Sequence, residues 1–256
     1  MKKIDNVKNK LPSHLAQLVP KINQNVKTEE PESSSYWYRV FSQVKRGILQ
    51  LLFGGKAGDY LEGSLQEFTN LSRFTPTNVL ETYMKQPSDI WEHLATLYML
   101  TVEFDLKTIL ELGTAEGEST IALLQAAHQI DGNVTSIDIN PCTEARKTIE
   151  NSGLARALDH WSFVQGDDLQ VYWAKSIDHL FIDTSHKFEH TLKELQKYEP
   201  YVREGGIITL HDIISFPEVM HAILEHLKNR NDLRLYTYLH NNGLAVIFKG
   251  RPKNIR

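Results

Sequence analysis

From residue 88 onward, apolar runs of strand length alternate with amphipathic runs of helix length, and this alternation limits what the chain can fold into. KTILEL, NVTSIDI, WSFVQG, IDHLFID and GGIITLHD read as strands. GESTIALLQAAHQ, TEARKTIENSG, FEHTLKELQKYEPYV and FPEVMHAILEHLKNR, which separate or follow them, read as helices. Ser88 is expected to cap a further helix through DIWEHLATLYML, with Asp89 in its first turn. Such alternation predicts an α/β domain with a mostly parallel sheet and helices on both faces. Runs such as TILEL, HLFI and GIITL suit strands buried on both sides. LRLYTYL and LAVIFK are separated by His240-Asn241-Asn242-Gly243, whose Asn-Gly pair suits a tight reversal, so a C-terminal hairpin adds one antiparallel strand.

Residues 1–87 differ in character and are read as an N-terminal helical extension, with 88–256 as the main domain. Residues 1–35 are polar and mixed in charge, an arm. Trp37, Val40, Phe41, Val44, Ile48, Leu51 and Leu52 then recur near helical spacing until Gly54-Gly55. That helix is expected to pack on the core or on a partner chain, which makes homodimerisation through the extension an expectation; a lid is the other use for it. Trp37, Tyr38, Phe41 and Tyr60 line a pocket or simply pack. Lys+Arg 28 against Asp+Glu 32 leaves a net charge of -4, which argues against a whole-protein nucleic-acid footprint. A single cysteine, Cys142, permits no intramolecular disulfide. There is no apolar run of about 18 residues to span a bilayer. The lysine-rich start lacks the apolar core of a secretory signal. A soluble cytoplasmic protein is the expectation.

In open parallel sheets ligands bind beyond the carboxyl ends of the strands, near the point where strand order reverses. The informative residues fall there. The first strand runs into Glu111-Leu112-Gly113-Thr114-Ala115-Glu116-Gly117-Glu118-Ser119-Thr120. Gly113 and Gly117 allow a tight turn and close backbone approach. Ser119 and Thr120 sit where a helix begins and offer hydroxyls and amides. The spacing is not G-x-G-x-x-G, so a dinucleotide pyrophosphate is disfavoured. An acid ahead of this turn suits a positively charged ligand without phosphate. Asp138, at the end of the second strand, can accept both hydroxyls of a ribose. Asp167 and Asp168, after the third, either receive an adenine amine or cap a helix. Asp183, His211 and Asp212, after the fourth and fifth, can converge on a metal ion; the ordinary alternative for His211-Asp212 is strand-end hydrogen bonding and capping. His186 lies in a turn three residues past Asp183 and can take a proton near neutrality. His190, His221 and His226 fall on helices and are read as surface or packing residues.

ILELGTAEGEST, SIDIN, VQGDD, LFIDTSH and GGIITLHD together resemble class I S-adenosylmethionine-dependent methyltransferases over about residues 88–250. The pattern is most similar to the metal-dependent O-methyltransferases, those like catechol O-methyltransferase and the bacterial sugar and natural-product enzymes. The resemblance implies a Rossmann-like doubly wound sheet. It implies that Glu111, Gly113, Thr114 and Gly117 surround the methionine half of the cofactor, that Ser119 and Thr120 contact its carboxylate, that Asp138 binds the ribose, and that Asp167 or Asp168 meets the adenine. It also implies a divalent ion on Asp183, His211 and Asp212. His211 departs from the usual acid, and imidazole suits manganese, iron, nickel or zinc better than magnesium.

The activity this implies is O-methylation of a small hydroxylated acceptor such as a sugar, a catechol-like compound or a polyketide. The enzyme aligns oxygen, methyl carbon and sulfur, a metal ion lowers the acceptor's pKa, and His186 or Asp183 takes the proton. Two other classes stay open on the residues: a metal-dependent phosphohydrolase and a catalytically silent methyltransferase-like binding module. N- or C-methylation would need no metal.

Overall fold

The structure, a computed structural model, describes residues 77–250, all within one of the two compact units into which the chain divides. The expected N-terminal arm, the helix around Trp37 to Leu52 and the dimer contacts assigned to it lie outside the described residues.

Seven strands are β1 (Thr108–Leu112), β2 (Asn133–Asp138), β3 (Trp161–Gln165), β4 (Ile177–Ile182), β5 (Val202–His211), β6 (Leu233–Tyr238) and β7 (Leu244–Lys249). Among the described residues the α-helices are α1 (Asn78–Lys85), α2 (Leu94–Glu103), α3 (Glu118–Gln129), α4 (Thr143–Glu150), α5 (Phe188–Tyr198) and α6 (Pro217–Leu227). The strands form one sheet in the order β3-β2-β1-β4-β5-β7-β6. β7 runs antiparallel between β5 and β6; the other pairs are parallel. This is the expected Rossmann-like sheet with its C-terminal hairpin, and strand order reverses between β1 and β4.

Side chains alternate across the sheet because a strand's period is two. Ile109, Phe181, Ile207, Val246 and Phe248 enter one apolar cluster with α2 and α3. Leu110, Leu180, Ile182, Ile208 and Leu210 are equally buried but outside that cluster, as expected for the opposite face, where α5 and α6 pack together. α2 is buried at Leu94 and from Thr96 through Val102, which explains why its sequence shows no polar stripe. His179, on β4, is buried between Thr101 Oγ1 (2.9 Å) and Thr209 Oγ1 (2.8 Å). Burial lowers its pKa to about 3, so it is a neutral core residue.

The departures from expectation are local. Ser88 caps no helix: its hydroxyl donates to Glu118 Oε2 at 2.6 Å, and α2 begins only at Leu94 after a 3₁₀ turn over Trp91–His93. α5 stops at Tyr198 rather than running to Val202, because Pro200 cannot supply an amide and takes the first turn of a 3₁₀ segment. β5 starts at Val202, ahead of the glycine pair, and a register shift between Ile177 and His179 absorbs it. α4 stops at Glu150, short of Gly153.

Candidate active site

The register sets the tips of four neighbouring strands side by side. Leu112 aligns with Ile137 and with Ile182, and Ile182 aligns with Leu210. Gly113, Asp138, Asp183 and His211 therefore each stand one residue past a common row, at the carboxyl edge where strand order reverses.

Gly113 is fixed by this crowding. Its φ is +87°, and a Cβ there would overlap the carbonyl oxygen of Asp183. Its amide donates to Ile137 O at 2.9 Å, and the Asp183 amide to Leu112 O at 2.9 Å, so β1, β2 and β4 are tied at this point. Gly117 precedes α3 at φ +90°, where a Cβ would lie 2.8 Å from that of Ala145. Asp138 organises the loop between them. Its Oδ2 accepts the amides of Thr114 (2.8 Å) and Ala115 (3.2 Å), and Oδ1 accepts Asn140 (2.8 Å). Burial acts to raise its pKa, but these amides outweigh it and hold the carboxylate below its usual range. Next to it Ile139 is 69% exposed, an apolar side chain at the rim that the sequence reading passed over. Cys142 also lies against Asp138; burial and that carboxylate push its thiol up to about 12, so it is no nucleophile at neutral pH.

Glu111 sits one position inside the edge, on the α3 face of β1. It is fully buried and accepts Ser119 Oγ (2.7 Å), Thr120 Oγ1 (2.8 Å) and Ser136 Oγ (2.5 Å). Burial raises its pKa to about 7 against the pull of these hydroxyls. The Ser119 and Thr120 side chains thus face Glu111. Thr114 is buried, with a hydroxyl that has no partner.

Asp183, His186 and Asp212 each place one ligand atom within 4.8 Å of the others. His186 Nε2 is 3.1 Å from Asp183 Oδ1 and 3.0 Å from Asp212 Oδ2. His211 Nδ1 is 3.3 Å from Asp183 Oδ2 and 3.7 Å from Asp212 Oδ1. His186 and Asp212 both adopt left-handed backbone (φ 55° and 64°), a costly conformation for such residues that aims both side chains at Asp183. Burial works against charge on Asp183, His186 and His211, yet pairing prevails. His186 is raised to about 9, His211 is raised, and Asp183 is lowered to about 2. Phe216 stacks on the His186 ring, centroids 4.3 Å apart and planes 9° apart. His211 Nε2 donates to Asn241 O at 3.3 Å. The same carbonyl receives His93 Nε2 at 3.1 Å, with His240 O also at 3.1 Å. His93 is buried, and burial together with the neighbouring histidines lowers its pKa to about 3. His93 and Asn241 carried no signal in the sequence.

Asp167 and Asp168 part ways. Asp167 Oδ1 accepts the Leu169 amide at 2.9 Å, closing the turn after β3. Asp168 turns toward α5, its side chain 3.2 Å from His190 Nε2. His190 therefore has partners, contrary to its reading as a surface or packing residue; Glu194, one helical turn on, is 3.5 Å away. The signal available was the i, i+4 spacing of His190 and Glu194, which puts them on one helix face.

The site is thus a Rossmann-like sheet with acids and a glycine turn gathered at its switch point, the place where such sheets bind ligands. Residues 110–213 match the family model described as a methyltransferase domain. Over those residues the chain therefore matches a methyltransferase domain, in line with the resemblance of its strand-end motifs. No curated protein matches it by sequence. Among solved structures it is similar to an O-methyltransferase from Bacillus cereus in complex with S-adenosylhomocysteine (18% identity, TM-score 0.54, covering 70% of this chain and 94% of that one). It is also similar to TomG, an O-methyltransferase from Streptomyces achromogenes involved in tomaymycin synthesis, in complex with S-adenosylmethionine (15%, 0.53, 74% and 100%). A third is the S-adenosylhomocysteine-bound methyltransferase PaMTH1 of Podospora anserina (11%, 0.56, 88% and 100%). The match supports the methyltransferase reading. Among the described residues no helix is long and apolar enough to cross a membrane.

Proposed function

We propose that the protein methylates a hydroxyl group of a small molecule with divalent-metal assistance, and that Asp183, His186 and Asp212 hold the ion. The observation that carries this is the convergence of those three side chains beside the glycine turn at the switch point. The residues fit an ion in two respects. Asp212 Oδ1 is buried and without a hydrogen-bond partner. Two carboxylates with an imidazole form a donor set suited to manganese, iron, nickel or zinc rather than magnesium. This assigns to His186 the place expected for His211, which instead braces Asp183 from a buried position. An ion held there lowers the pKa of a coordinated acceptor hydroxyl.

The remaining work falls to the protein. Asp138, held ionised by three amides, accepts ribose hydroxyls of the cofactor. Gly113 and Gly117 keep the turn free of side chains where its methionine half passes, and Ile139 packs against the base. Phe216, 44% exposed beside His186, bounds the acceptor side. Methyl transfer from a sulfonium needs no leaving-group protonation, so alignment of acceptor and donor is the main contribution. A second reading keeps His186 as the base that receives the acceptor proton, favoured by its partial exposure of 25%; because its pKa is raised to about 9, that reading expects turnover to climb as pH approaches 9 and the ring loses its own proton. Cytoplasmic location is part of the same proposal.

Calorimetric titration with S-adenosylhomocysteine, with and without Mn²⁺, tests the reading. Binding is expected, and Asp183→Ala is expected to abolish methyl transfer to a panel of catechols, sugars and phenols. Absence of S-adenosylhomocysteine binding, or near-normal transfer by Asp183→Ala, overturns it. His186→Ala separates the two roles: loss of Mn²⁺ binding marks a ligand, whereas retained Mn²⁺ with lost turnover marks a base.

A further inference from the structure

The loop after β3 and helix α5 form a second constellation that the transfer reaction does not use. Asp168, His190 and Glu194 each offer one ligand atom, and these lie within 4.8 Å of one another. His190 and Glu194 stand at i, i+4 on α5, and Asp168 reaches them from the loop. His190 Nε2 is 3.2 Å from Asp168 Oδ1 and 3.5 Å from Glu194 Oε1. The surroundings hold the two acids in place. Lys197 Nζ donates to the carbonyls of Asp168 and Val171, both at 2.6 Å, and Tyr198 OH donates to the Asp168 carbonyl at 2.5 Å. The loop backbone is thereby pinned to α5, leaving the Asp168 carboxylate to face His190 and Glu194. Thr184 Oγ1 donates to Glu194 Oε1 at 2.7 Å.

One atom stands out. Glu194 is 0% exposed, yet with both acids ionised its Oε2 has no donor, facing only the Asp168 carboxylate. A fully buried carboxylate oxygen without a donor is costly. It lies beside a second carboxylate that is itself nearly buried, and the one imidazole cannot serve all four oxygens. A dication satisfies that oxygen and relieves the repulsion between the carboxylates. His190, with its side chain 28% exposed, leaves a route to solvent.

We propose that Asp168, His190 and Glu194 bind a divalent transition-metal ion at a second site, distinct from the one formed by Asp183, His186 and Asp212. Imidazole with two carboxylates selects zinc, manganese or cobalt over magnesium. Its consequence is structural. The ion staples the loop after β3, on the expected adenine side of the cofactor, to α5 and, through Thr184, to the residue following Asp183.

Zinc binding by the full chain tests this, read by equilibrium dialysis with metal analysis and by thermal melting. Wild type is expected to bind two equivalents. Asp183→Asn/Asp212→Asn, with the first site disabled, is expected to keep one, and its melting temperature to rise with zinc. Adding Glu194→Gln, which preserves side-chain shape and the Thr184 hydrogen bond, is expected to weaken that remaining zinc by at least about tenfold and to remove the melting shift. If the double variant fails to fold, the fall from two equivalents to one in Glu194→Gln alone carries the same information. Undiminished zinc in both Glu194→Gln and His190→Gln overturns the proposal. So does a folded Asp183→Asn/Asp212→Asn protein that binds no zinc, which identifies the cluster as a carboxyl pair sharing a proton. Because the decisive measurement has the first site disabled, its failure is separable from failure of the methyl-transfer reading.

Discussion

His186 and His211 hold Asp183 through opposite oxygens. His186 meets Asp183 Oδ1 and also Asp212 Oδ2, while His211 meets Asp183 Oδ2 and lies 3.7 Å from Asp212 Oδ1, beyond hydrogen-bond reach. Asp183 cannot rotate without breaking contacts to both rings. Asp183→Asn therefore disturbs both histidines at once. It is expected to lower turnover by at least about 100-fold, the upper range for loss of a ligand-orienting partner, while S-adenosylhomocysteine affinity changes little. Steady-state kinetics and calorimetry on the same preparation check the split.

Asp138→Ala has the reverse signature. It deprives the amides of Thr114, Ala115 and Asn140 of their acceptor. Loss of charged hydrogen bonds of this kind costs about 1.5–3 kcal/mol, or roughly 10- to 100-fold in affinity. Calorimetric titration with S-adenosylhomocysteine is expected to show that weakening.

Gly113→Ala is expected to damage fold and cofactor site together. The new methyl meets backbone, the Asp183 carbonyl, at a positive φ that alanine resists. A melting temperature unchanged from wild type would contradict the tight packing of the β1 and β4 tips.

Two buried glutamates give opposite pH dependence. Glu111 has its pKa raised from 4.5 to about 7 by burial. Between those values the folded state holds the proton that the unfolded chain has lost, so this residue's contribution to stability falls as pH rises from 4.5 to 7, by about 3 kcal/mol. Glu111→Gln is expected to flatten that stretch of the denaturant-melting profile.

Glu199 behaves the other way. Burial would raise its pKa, but His226, Arg230 and Lys249 outweigh it and hold it well below the usual range. Its contribution is complete above pH 4.5 and is lost as the carboxylate is protonated below that value. Glu199→Gln is expected to cost about 1.5–3 kcal/mol at pH 7 and progressively less at lower pH, measured by urea unfolding.

The order of elements was legible because each strand is an apolar run closed by a polar residue, and each helix repeats at its own period. Asp183 and Asp212 were legible for the same reason: strand ends in a parallel sheet must meet. What the residues could not convey is direction. Asp167 and Asp168 are adjacent and alike, yet one closes its own turn and the other crosses to α5, a choice set by where Lys197 and Tyr198 catch the Asp168 carbonyl. That His186 rather than His211 reaches both Asp183 and Asp212 has a similar cause. The left-handed backbone at His186 aims its ring back over the strand tips, and such a conformation has no sequence mark in histidine. Ser119 and Thr120 stand where predicted at the start of α3, but their side chains face Glu111, which the alternation of β1 directs inward.

The reversal at 240–243 carries a consequence for biosynthesis. A nascent chain that has emerged only as far as Asp212 already holds every acidic group of the centre. It lacks the Asn241 carbonyl that orients His211 and the β7 strand that seals β5. The acidic cluster therefore takes its shape only once the β6–β7 hairpin has paired with β5.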